Sequence, residues 1–352
     1  MRQVIHLMPY DGIGGVEQAA ATAEGARRGD LVLARMFVFE RVRDRSGRWA
    51  TFDPRILWAA AGRLTRAAPD LVILSLWRSI LVGGLARLRG CRAPMVLFLH
   101  NVRDAHAVDR IVTRVAARRV AAVWADSAAS LQQRLPRPPS VPTRVISYQL
   151  CRAELTCDVD SNPEPRLIFW GRLAAQKDPL RMLAIFAELH ALRPDAKLTV
   201  IGPDGGEEAA LRIEIARRGL EHAVTLTGPL PREQIATTAA YASFYLQTSR
   251  YEGMALSVME AMQMGLVPVV TPVGEIVRYS VDGQSAIWIP VDGDARTTVA
   301  RIAALLDEPD AWRSMRSAAL VALGDRPLYA QDVMAAADEV LAGSNRVRVL
   351  KG

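Results

Sequence analysis

The feature that most constrains the fold is a regular alternation of short apolar runs with helix-length spacers along the whole chain. Ten such runs occur, at 4–8, 31–39, 71–76, 95–100 and 123–127 in the first half and at 166–171, 197–202, 224–228, 243–249 and 267–272 in the second. Continuous apolar strands separated by helices are typical of parallel sheets that are covered on both faces. Two similar sets of five predict an α/β protein with two Rossmann-like, doubly wound domains.

A polar segment with two prolines, residues 151–166, separates the two sets and predicts a linker. A chain of 352 residues is long enough for two domains. We therefore place one domain at 1–155 and the other at 166–330. The remaining residues, 330–352, begin as an alanine-rich helix and end in a short basic tail.

Composition excludes several classes of protein. No run of apolar residues is long enough to predict a transmembrane helix, and Arg2 is followed by a strand-like stretch instead of a signal peptide. Cys91, Cys151 and Cys157 have the spacing neither of a disulfide framework nor of a zinc site. These features predict a cytoplasmic protein.

Charge is divided unevenly between the two halves. Residues 1–150 contain 23 arginines and 11 acidic residues, an excess of 12 positive charges, whereas the whole chain carries +7. A basic first half indicates an anionic partner, and the alternative is an arginine-rich solvated surface.

Two loops of the first half carry candidate ligand residues. Gly12, Gly14 and Gly15 follow the first strand and can let the backbone approach an anion at a helix N-terminus, although the alternative is a tight turn. The dinucleotide pattern is incomplete, because Glu17 stands where its third glycine is needed. His100 ends the fourth strand and can bind a sugar hydroxyl or act as an acid or base; alternatively, a backbone carbonyl satisfies it.

Two cations mark the first loop of the second half. Arg172 and Lys177 follow the strand that ends at Gly171 and precede a helix. Positive side chains beside a helix N-terminus favour phosphate binding, because charge, dipole and free N–H groups converge. The chain has 41 arginines and three lysines, so a lysine here indicates a need for a compact point charge.

The stretch YEGMALSVMEAMQMG, residues 251–265, contains two glutamates in apolar surroundings. We predict a turn at Glu252 and Gly253, followed by a helix of about three turns that carries Glu260. The carboxylates are then on the order of 10 Å apart, a spacing that suits a nucleoside diphosphate sugar with its diphosphate at the helix start. The structural alternatives are a helix N-terminal charge for Glu252 and an arginine partner for Glu260.

These motifs resemble the retaining glycosyltransferases of family 4. The resemblance is carried by EGMALSVMEAMQMGLVPVVTPVGE, GRLAAQKD, the GGVE loop, the strand-terminal histidine and KLTVIGPDGG, and it is strongest over 166–290. It implies the GT-B fold, in which two Rossmann-like domains face a cleft. The domain at 1–155 would take the acceptor and the domain at 166–330 the nucleotide sugar, while the helix at 330–352 crosses back to the first domain.

The resemblance also implies residue roles. Glu252 would hold the donor sugar and Glu260 the ribose, while His100 would touch the sugar near its anomeric centre. The diphosphate would be bound by Arg172 and Lys177, above Gly15. The other donor contacts are assigned to Gly171, Gly202, Gly253, Met254, Ala255 and Leu256, and the acceptor contacts to Glu17, Asn101 and Arg103.

The implied activity is transfer of a hexose from a UDP- or GDP-sugar to a lipid-linked or saccharide acceptor with retained configuration, in bacterial cell-surface polysaccharide or glycolipid synthesis. Neither Asp158 with Asp160 nor Asp292 with Asp294 resembles a metal-binding pair, so we expect neither a metal nor another cofactor. Three alternatives stay open: a sugar-nucleotide epimerase of the same fold, a nicotinamide oxidoreductase, and a non-catalytic basic membrane-binding protein.

One helical segment predicts contact with a membrane surface. Within residues 109–119, Arg110, Arg114 and Arg118 recur at helical spacing, and we expect Ile111 and Val115 on the opposite side. The prediction is peripheral attachment to the anionic inner face of the cytoplasmic membrane, without a nucleic-acid partner. The alternative is an ordinary solvated helix face.

Overall fold

The computed structural model describes residues 1–12, 15–39, 53–150, 152, 162–290, 293–324 and 326–349, with the backbone alone for 344–349. The chain forms two compact units: Met1–Cys151 together with Pro327–Gly352, and Arg152–Arg326. The segment predicted as a linker, 151–166, lies outside the described residues except at 152 and 162–166.

The first unit contains a seven-stranded sheet. Its strands are β1 (Arg2–Met8), β2 (Arg27–Arg28), β3 (Leu31–Phe37), β4 (Leu71–Ser75), β5 (Met95–Leu99), β6 (Ala122–Ala125) and β7 (Thr143–Val145). Their order is β2-β3-β1-β4-β5-β6-β7, and every pairing is parallel except that of β2 with β3. The strands β4, β5 and β6 are buried along their whole length, because helices cover both faces of the sheet.

The helices of the first unit follow its strands. They are α1 (Gly15–Ala23), α2 (Pro54–Ala67), α3 (Leu76–Leu88), α4 (Ala107–Ala116) and α5 (Ala128–Arg134). The starts of α2 and α5 are capped by the side chains of Asp53 and Ser127, which accept hydrogen bonds from backbone N–H groups of the first turn.

The second unit contains a six-stranded parallel sheet. Its strands are β8 (Arg166–Trp170), β9 (Lys197–Ile201), β10 (Val224–Gly228), β11 (Phe244–Gln247), β12 (Val267–Val270) and β13 (Ile287–Trp288), in the order β10-β9-β8-β11-β12-β13. Its helices are α6 (Pro179–Leu192), α7 (Glu208–Arg217), α8 (Arg232–Ala239), α9 (Leu256–Gln263), α10 (Ile276–Tyr279), α11 (Ala295–Asp307) and α12 (Pro309–Ala322). The predicted fold class of two doubly wound parallel sheets is confirmed.

The last helix, α13 (Tyr329–Val349), belongs to the first unit and packs against α1. The backbone N–H of Tyr329 donates to the carbonyl of Gln149 over 2.7 Å. The carboxylate of Asp332 accepts the N–H of Ser147 over 2.7 Å and forms an ion pair with Arg144. These contacts attach the C-terminal segment to the end of the first sheet.

Several details differ from the predictions. The strands β2, β7 and β13 were not predicted, because each has only two or three residues and too little apolar pattern to detect. The prediction of about three turns for the helix after Glu252 was wrong: α9 has eight residues, because Ala255 at its N-cap has a left-handed φ of 55°.

The prediction for 109–119 was also wrong in two respects. The helix α4 ends at Ala116, so Arg118 lies beyond it. Ile111 and Val115 are exposed beside the arginines instead of on the opposite side of the helix. The buried residues of α4 are the polar Asp109 and Thr113.

Candidate functional site

The loops at the carboxyl edge of the second sheet come together through two glycines. Gly171 and Gly202 directly follow β8 and β9 and have φ values of 148° and 146°, which side-chain-bearing residues rarely adopt. A Cβ atom on Gly202 would lie 1.9 Å from the carbonyl oxygen of Gly171. Glycine is therefore required at Gly202 by the backbone packing, apart from any contact with a ligand.

Lys177 and Glu252, 75 positions apart in the chain, form an ion pair at this edge. The distance from Lys177 Nζ to Glu252 Oε1 is 2.7 Å, and their side chains are 16% and 7% exposed. A nearly buried carboxylate needs such a partner, because an unpaired charge is costly to remove from water. The structure thus brings together the predicted diphosphate-binding lysine and the predicted sugar-binding carboxylate.

Arg172 is the exposed cation of the same loop. Its side chain makes no ion pair with any residue that the structure describes, whereas Lys177 is held by Glu252. An exposed guanidinium with several N–H donors can bind a phosphate without first losing a protein partner.

The turn that carries Glu252 is fixed by a second loop. The N–H of Glu275 donates to the carbonyl of Gly253 over 2.9 Å. A Cβ atom on Gly274 would lie 2.4 Å from the carbonyl oxygens of both Glu252 and Gly253. The sequence analysis did not assign Gly274 or Glu275 a role, although the repeated Gly and Glu in this stretch is a signal that could have identified them.

The helix α9 begins immediately after this turn. Met254 and Ala255 are buried, and Leu256 is the first helical residue. The N–H groups of these three residues make no hydrogen bond with a backbone carbonyl of the described chain. They can bind an anion at the positive end of the helix dipole, as the sequence predicts.

Glu260 has two partners inside the second unit. Its Oε2 accepts the indole N–H of Trp170 over 3.0 Å, and its Oε1 lies 3.1 Å from a guanidinium nitrogen of Arg232. The structure therefore contains the pairing with an arginine that was the structural alternative for Glu260. An ionised carboxylate has about four acceptor positions, so these two bonds leave room for a ribose diol.

Gln247 connects several of these groups, and the sequence analysis missed it. Its Oε1 accepts the hydroxyls of Tyr245 and Ser257, each over 3.0 Å, and its Nε2 lies 3.4 Å from Glu252 Oε1. Burial raises the pKa of Tyr245 well above 10, so its hydroxyl stays a donor. A polar residue at the end of the apolar strand β11 is the signal that could have identified Gln247.

His100 of the first unit belongs to a buried chain of hydrogen bonds. It is 6% exposed; its Nε2 lies 2.7 Å from Ser75 Oγ and its Nδ1 3.0 Å from the hydroxyl of Tyr148. Ser75 Oγ is also 2.6 Å from His6 Nε2. Among the described residues, neither ring nitrogen pairs with a backbone carbonyl, the alternative raised above. A sugar contact of His100 would have to replace one of these bonds.

The other candidates of the first unit lie near the start of α1 and after β5. Gly15 is the first residue of α1, and Glu17 lies in its first turn, next to Gly12. Asn101 lines a cavity of about 150 Å³ together with His100. Arg103 is exposed and does not line that cavity. The structure thus brings Asn101 and His100 together.

The acidic pairs considered for metal binding do not form a site in the described structure. Asp294 caps α11 by accepting the N–H of Arg296. Asp158, Asp160 and Asp292, like Gly14 of the glycine loop, lie outside the described residues. Over the described ranges, no three His, Cys, Asp or Glu side chains are grouped as metal ligands require.

The fold and the site define a class of protein: two parallel-sheet α/β units of the GT-B type, with cations, carboxylates and a helix N-terminus at one sheet edge. Residues 159–320 match the family model described as glycosyl transferases group 1. The resemblance to this family is confirmed over these residues.

Curated relatives agree with this assignment. Over 129 residues the chain is 30% identical to the GDP-mannose:cellobiosyl-diphosphopolyprenol alpha-mannosyltransferase of Xanthomonas oryzae pv. oryzae. The matched segment covers 36% of this chain and 34% of that protein. Over 159 residues it is 29% identical to the alpha-D-kanosaminyltransferase of Streptomyces kanamyceticus, covering 45% and 41%. The matched part thus spans less than half of either relative.

A solved structure extends the likeness to nearly the whole fold. The crystal structure of HepE from Anabaena in complex with UDP has a TM-score of 0.77 with this protein. The alignment of the two structures covers 97% of this chain and 100% of the HepE chain, at 18% sequence identity. This likeness shows that the GT-B fold is shared.

Proposed function

We propose that the protein is a retaining glycosyltransferase that moves a hexose from a UDP- or GDP-sugar to a lipid-linked or saccharide acceptor. The observation that carries the proposal is the cluster at the carboxyl edge of the second sheet. There Lys177, Glu252 and the N-terminus of α9 meet, inside the segment that matches glycosyl transferases group 1. The HepE complex, which contains UDP, supports a nucleotide as the ligand of this edge.

The cluster has the chemistry that departure of a nucleoside diphosphate needs. Negative charge grows on the diphosphate as the bond to the sugar breaks, and Arg172, Lys177 and the N–H groups before α9 supply positive charge for it. Glu252 can accept hydrogen bonds from sugar hydroxyls, and Glu260 from the ribose diol. We propose that the acceptor attacks on the face that the diphosphate leaves, without an obligatory covalent intermediate.

A lipid-linked acceptor is supported by one relative's name. The Xanthomonas oryzae protein acts on a cellobiosyl-diphosphopolyprenol, a saccharide on a lipid diphosphate. We propose an acceptor of the same kind for the first unit, with Glu17, Asn101 and Arg103 as contacts, in the synthesis of a cell-surface polysaccharide or glycolipid.

None of the described helices has the length and apolar composition that crossing a bilayer requires.

The experiment is a donor panel followed by a transfer assay. Calorimetric titration with UDP-, GDP- and ADP-sugars should find one nucleotide that binds, and the matching sugar should then be transferred to a polyprenyl-diphosphate saccharide. Proton NMR of the anomeric centre should show the donor's configuration in the product. Absence of binding by every sugar nucleotide would overturn the proposal.

Two controls separate this activity from its alternatives. Appearance of an altered sugar nucleotide without any acceptor would identify an epimerase instead. Transfer that is unchanged after treatment with EDTA would support the proposed independence of metals, and transfer restored only by added Mg²⁺ or Mn²⁺ would contradict it.

A further inference from the structure

The inward face of α4 combines polar and apolar residues, since Val112 and Ala116 pack against the core of the first unit together with the buried Asp109 and Thr113. Asp109 and Thr113 are buried, whereas Val108, Ile111 and Val115 are 40%, 60% and 45% exposed. The spacing of these three apolar residues, i, i+3 and i+7, places them in one stripe along the helix. A helix whose outer face only contacted water would carry polar residues at these three positions.

The orientation of α4 is fixed by a buried ion pair. Arg134 of α5 donates to Asp109 Oδ1 over 2.8 Å, and Thr113 donates to the same carboxylate oxygen over 3.1 Å. The other oxygen of Asp109 accepts the N–H of Ala105 over 2.9 Å. Arg134 also pairs with Asp104 over 2.8 Å. Because turning the helix would expose this network and separate Asp109 from Arg134, the apolar stripe stays on the outside.

Arginines surround the stripe. They are Arg110, Arg114, Arg118, Arg119 and Arg137, and none of them forms an ion pair with another residue in the described part of the chain. The acidic residues of segment 107–143 are Asp109 and Asp126, and both are buried. By contrast, the arginines of α7 are neutralised: Arg212 pairs with Glu208, and Arg217 with Glu214.

An open groove of about 730 Å³ lies at the C-terminal end of the same helix. Its lining includes Arg114, Arg118 and Arg137, together with Ala117, Pro136 and Pro138. Three guanidinium groups around a groove without an acidic side chain fit a phosphate group, since each can donate several N–H bonds to its oxygens.

We propose that this α4 surface, meaning the three apolar residues and the five arginines around them, binds the face of an anionic phospholipid membrane. The apolar stripe enters the headgroup boundary, and the arginines and the groove bind lipid phosphates. Nucleic acid would match the charge but not an aliphatic stripe. A second copy of the chain, bound face to face, would set five unpaired arginines against five others. Attachment of this kind goes beyond sugar transfer and does not depend on it.

The test is flotation of the full-length protein with vesicles of phosphatidylcholine, with and without phosphatidylglycerol. We expect binding only with phosphatidylglycerol, and less of it as salt rises. The triple variant R110Q/R114Q/R118Q should partition roughly a hundredfold more weakly, since it loses three near-surface cations. The variant I111Q/V115Q should also bind more weakly, because it loses the apolar contact while every charge remains.

A matched control removes the same charge elsewhere. The variant R212Q/R217Q/R218Q with I213Q loses an exposed isoleucine and three arginines from α7 and its C-cap, and it should float like the unchanged protein. Equal loss in this control, or equal binding to neutral vesicles, would overturn the proposal. If soluble glycerol phosphate competes and abolishes flotation, the groove binds a free phosphate instead. If sedimentation shows a dimer that I111Q/V115Q loses, the stripe binds a second copy of the chain instead.

Failure here is distinguishable from failure of the proposed transferase. Calorimetry of the same variants with the binding nucleotide should give the unchanged affinity, because the substituted residues lie outside the nucleotide site. A protein that binds nucleotide but no vesicle would keep its proposed function and lose only this inference.

Discussion

At the scale of residues, the site combines groups that satisfy one another before any ligand arrives. Lys177 neutralises Glu252 over 2.7 Å, and Trp170 and Arg232 hold Glu260. Each pairing lowers the cost of keeping a carboxylate in a partly buried place. An ammonium group has three N–H donors, so Lys177 can keep Glu252 while it also binds a phosphate.

We expect Lys177→Ala to lower turnover more than it weakens donor binding. Charge on the leaving diphosphate is greatest in the transition state, so loss of one cation should cost about 2–4 kcal/mol, or two to three decades in kcat. Steady-state kinetics with the donor identified above measures this. Lys197→Ala, which removes an exposed lysine at the start of β9, is the control, and an unchanged kcat in Lys177→Ala would remove that residue from the mechanism.

Glu260→Gln should act on binding and leave the chemical step nearly unchanged. The amide keeps the shape but offers donors where the ribose diol needs acceptors, so nucleotide affinity should fall by about 1–3 kcal/mol. Calorimetry with the nucleotide and its 2′,3′-dideoxy analogue measures this, with Glu188→Gln on the exposed face of α6 as control. Equal affinity of the native protein for both compounds would show that the ribose assignment is wrong.

At the scale of elements, glycines decide how closely helices and loops approach the sheets. The adjacent glycines of α3 show this well. A Cβ atom on Gly83 would lie 2.9 Å from a side-chain carbon of Leu74 in β4, whereas one on Gly84 meets nothing within 4 Å. Gly83 thus allows α3 to pack against the strand, and Gly84 has no such role.

The two alanine variants should therefore differ in stability. Gly84→Ala should raise the free energy of unfolding by about 1 kcal/mol, because alanine favours a helix over glycine by that amount. Gly83→Ala gains the same propensity but must displace Leu74, so we expect no gain or a net loss. Urea unfolding followed by circular dichroism compares them, and equal stabilisation by both variants would contradict this account of α3.

At the scale of the whole molecule, the two units differ in their buried titratable groups. The first unit contains His6 and His100 in one hydrogen-bonded chain. Burial lowers the pKa of His6 from 6.5 to about 3 and that of His100 well below 6.5, so both rings are neutral in the folded protein. In the second unit, His222 is exposed.

Acid should therefore destabilise the first unit through these histidines. Below pH 6.5 the unfolded chain binds protons that the folded chain excludes, so the free energy of unfolding falls as pH drops towards 3. The slope is up to about 1.4 kcal/mol per pH unit for each histidine. Urea titrations at pH 7 and pH 5 should show a smaller decrease for His6→Gln than for the control His222→Gln. Equal decreases would show that folding does not lower the pKa of His6.

Much of the fold followed from local pattern. Buried parallel strands are continuously apolar, so ten of them could be located from the sequence, whereas β2, β7 and β13 are too short to leave such a pattern. The resemblance to glycosyl transferases group 1 depended on a few motifs of unusual composition, and it too is confirmed. The residue roles that it implies stay predictions.

Contacts between distant segments were decided only by the tertiary structure. The groups that meet at these places come from segments far apart in the chain. They are the partners of Glu260, the hydroxyls hydrogen-bonded to the two ring nitrogens of His100, and the loop that fixes Glu252. The side of α4 that faces outward was decided in the same way, by Arg134 of the next helix. Sequence alone determined where the ten longer strands and the helical segments between them lie, because periodicity acts over a few residues. Which polar groups meet depends on how those elements pack, and only the folded chain determines that.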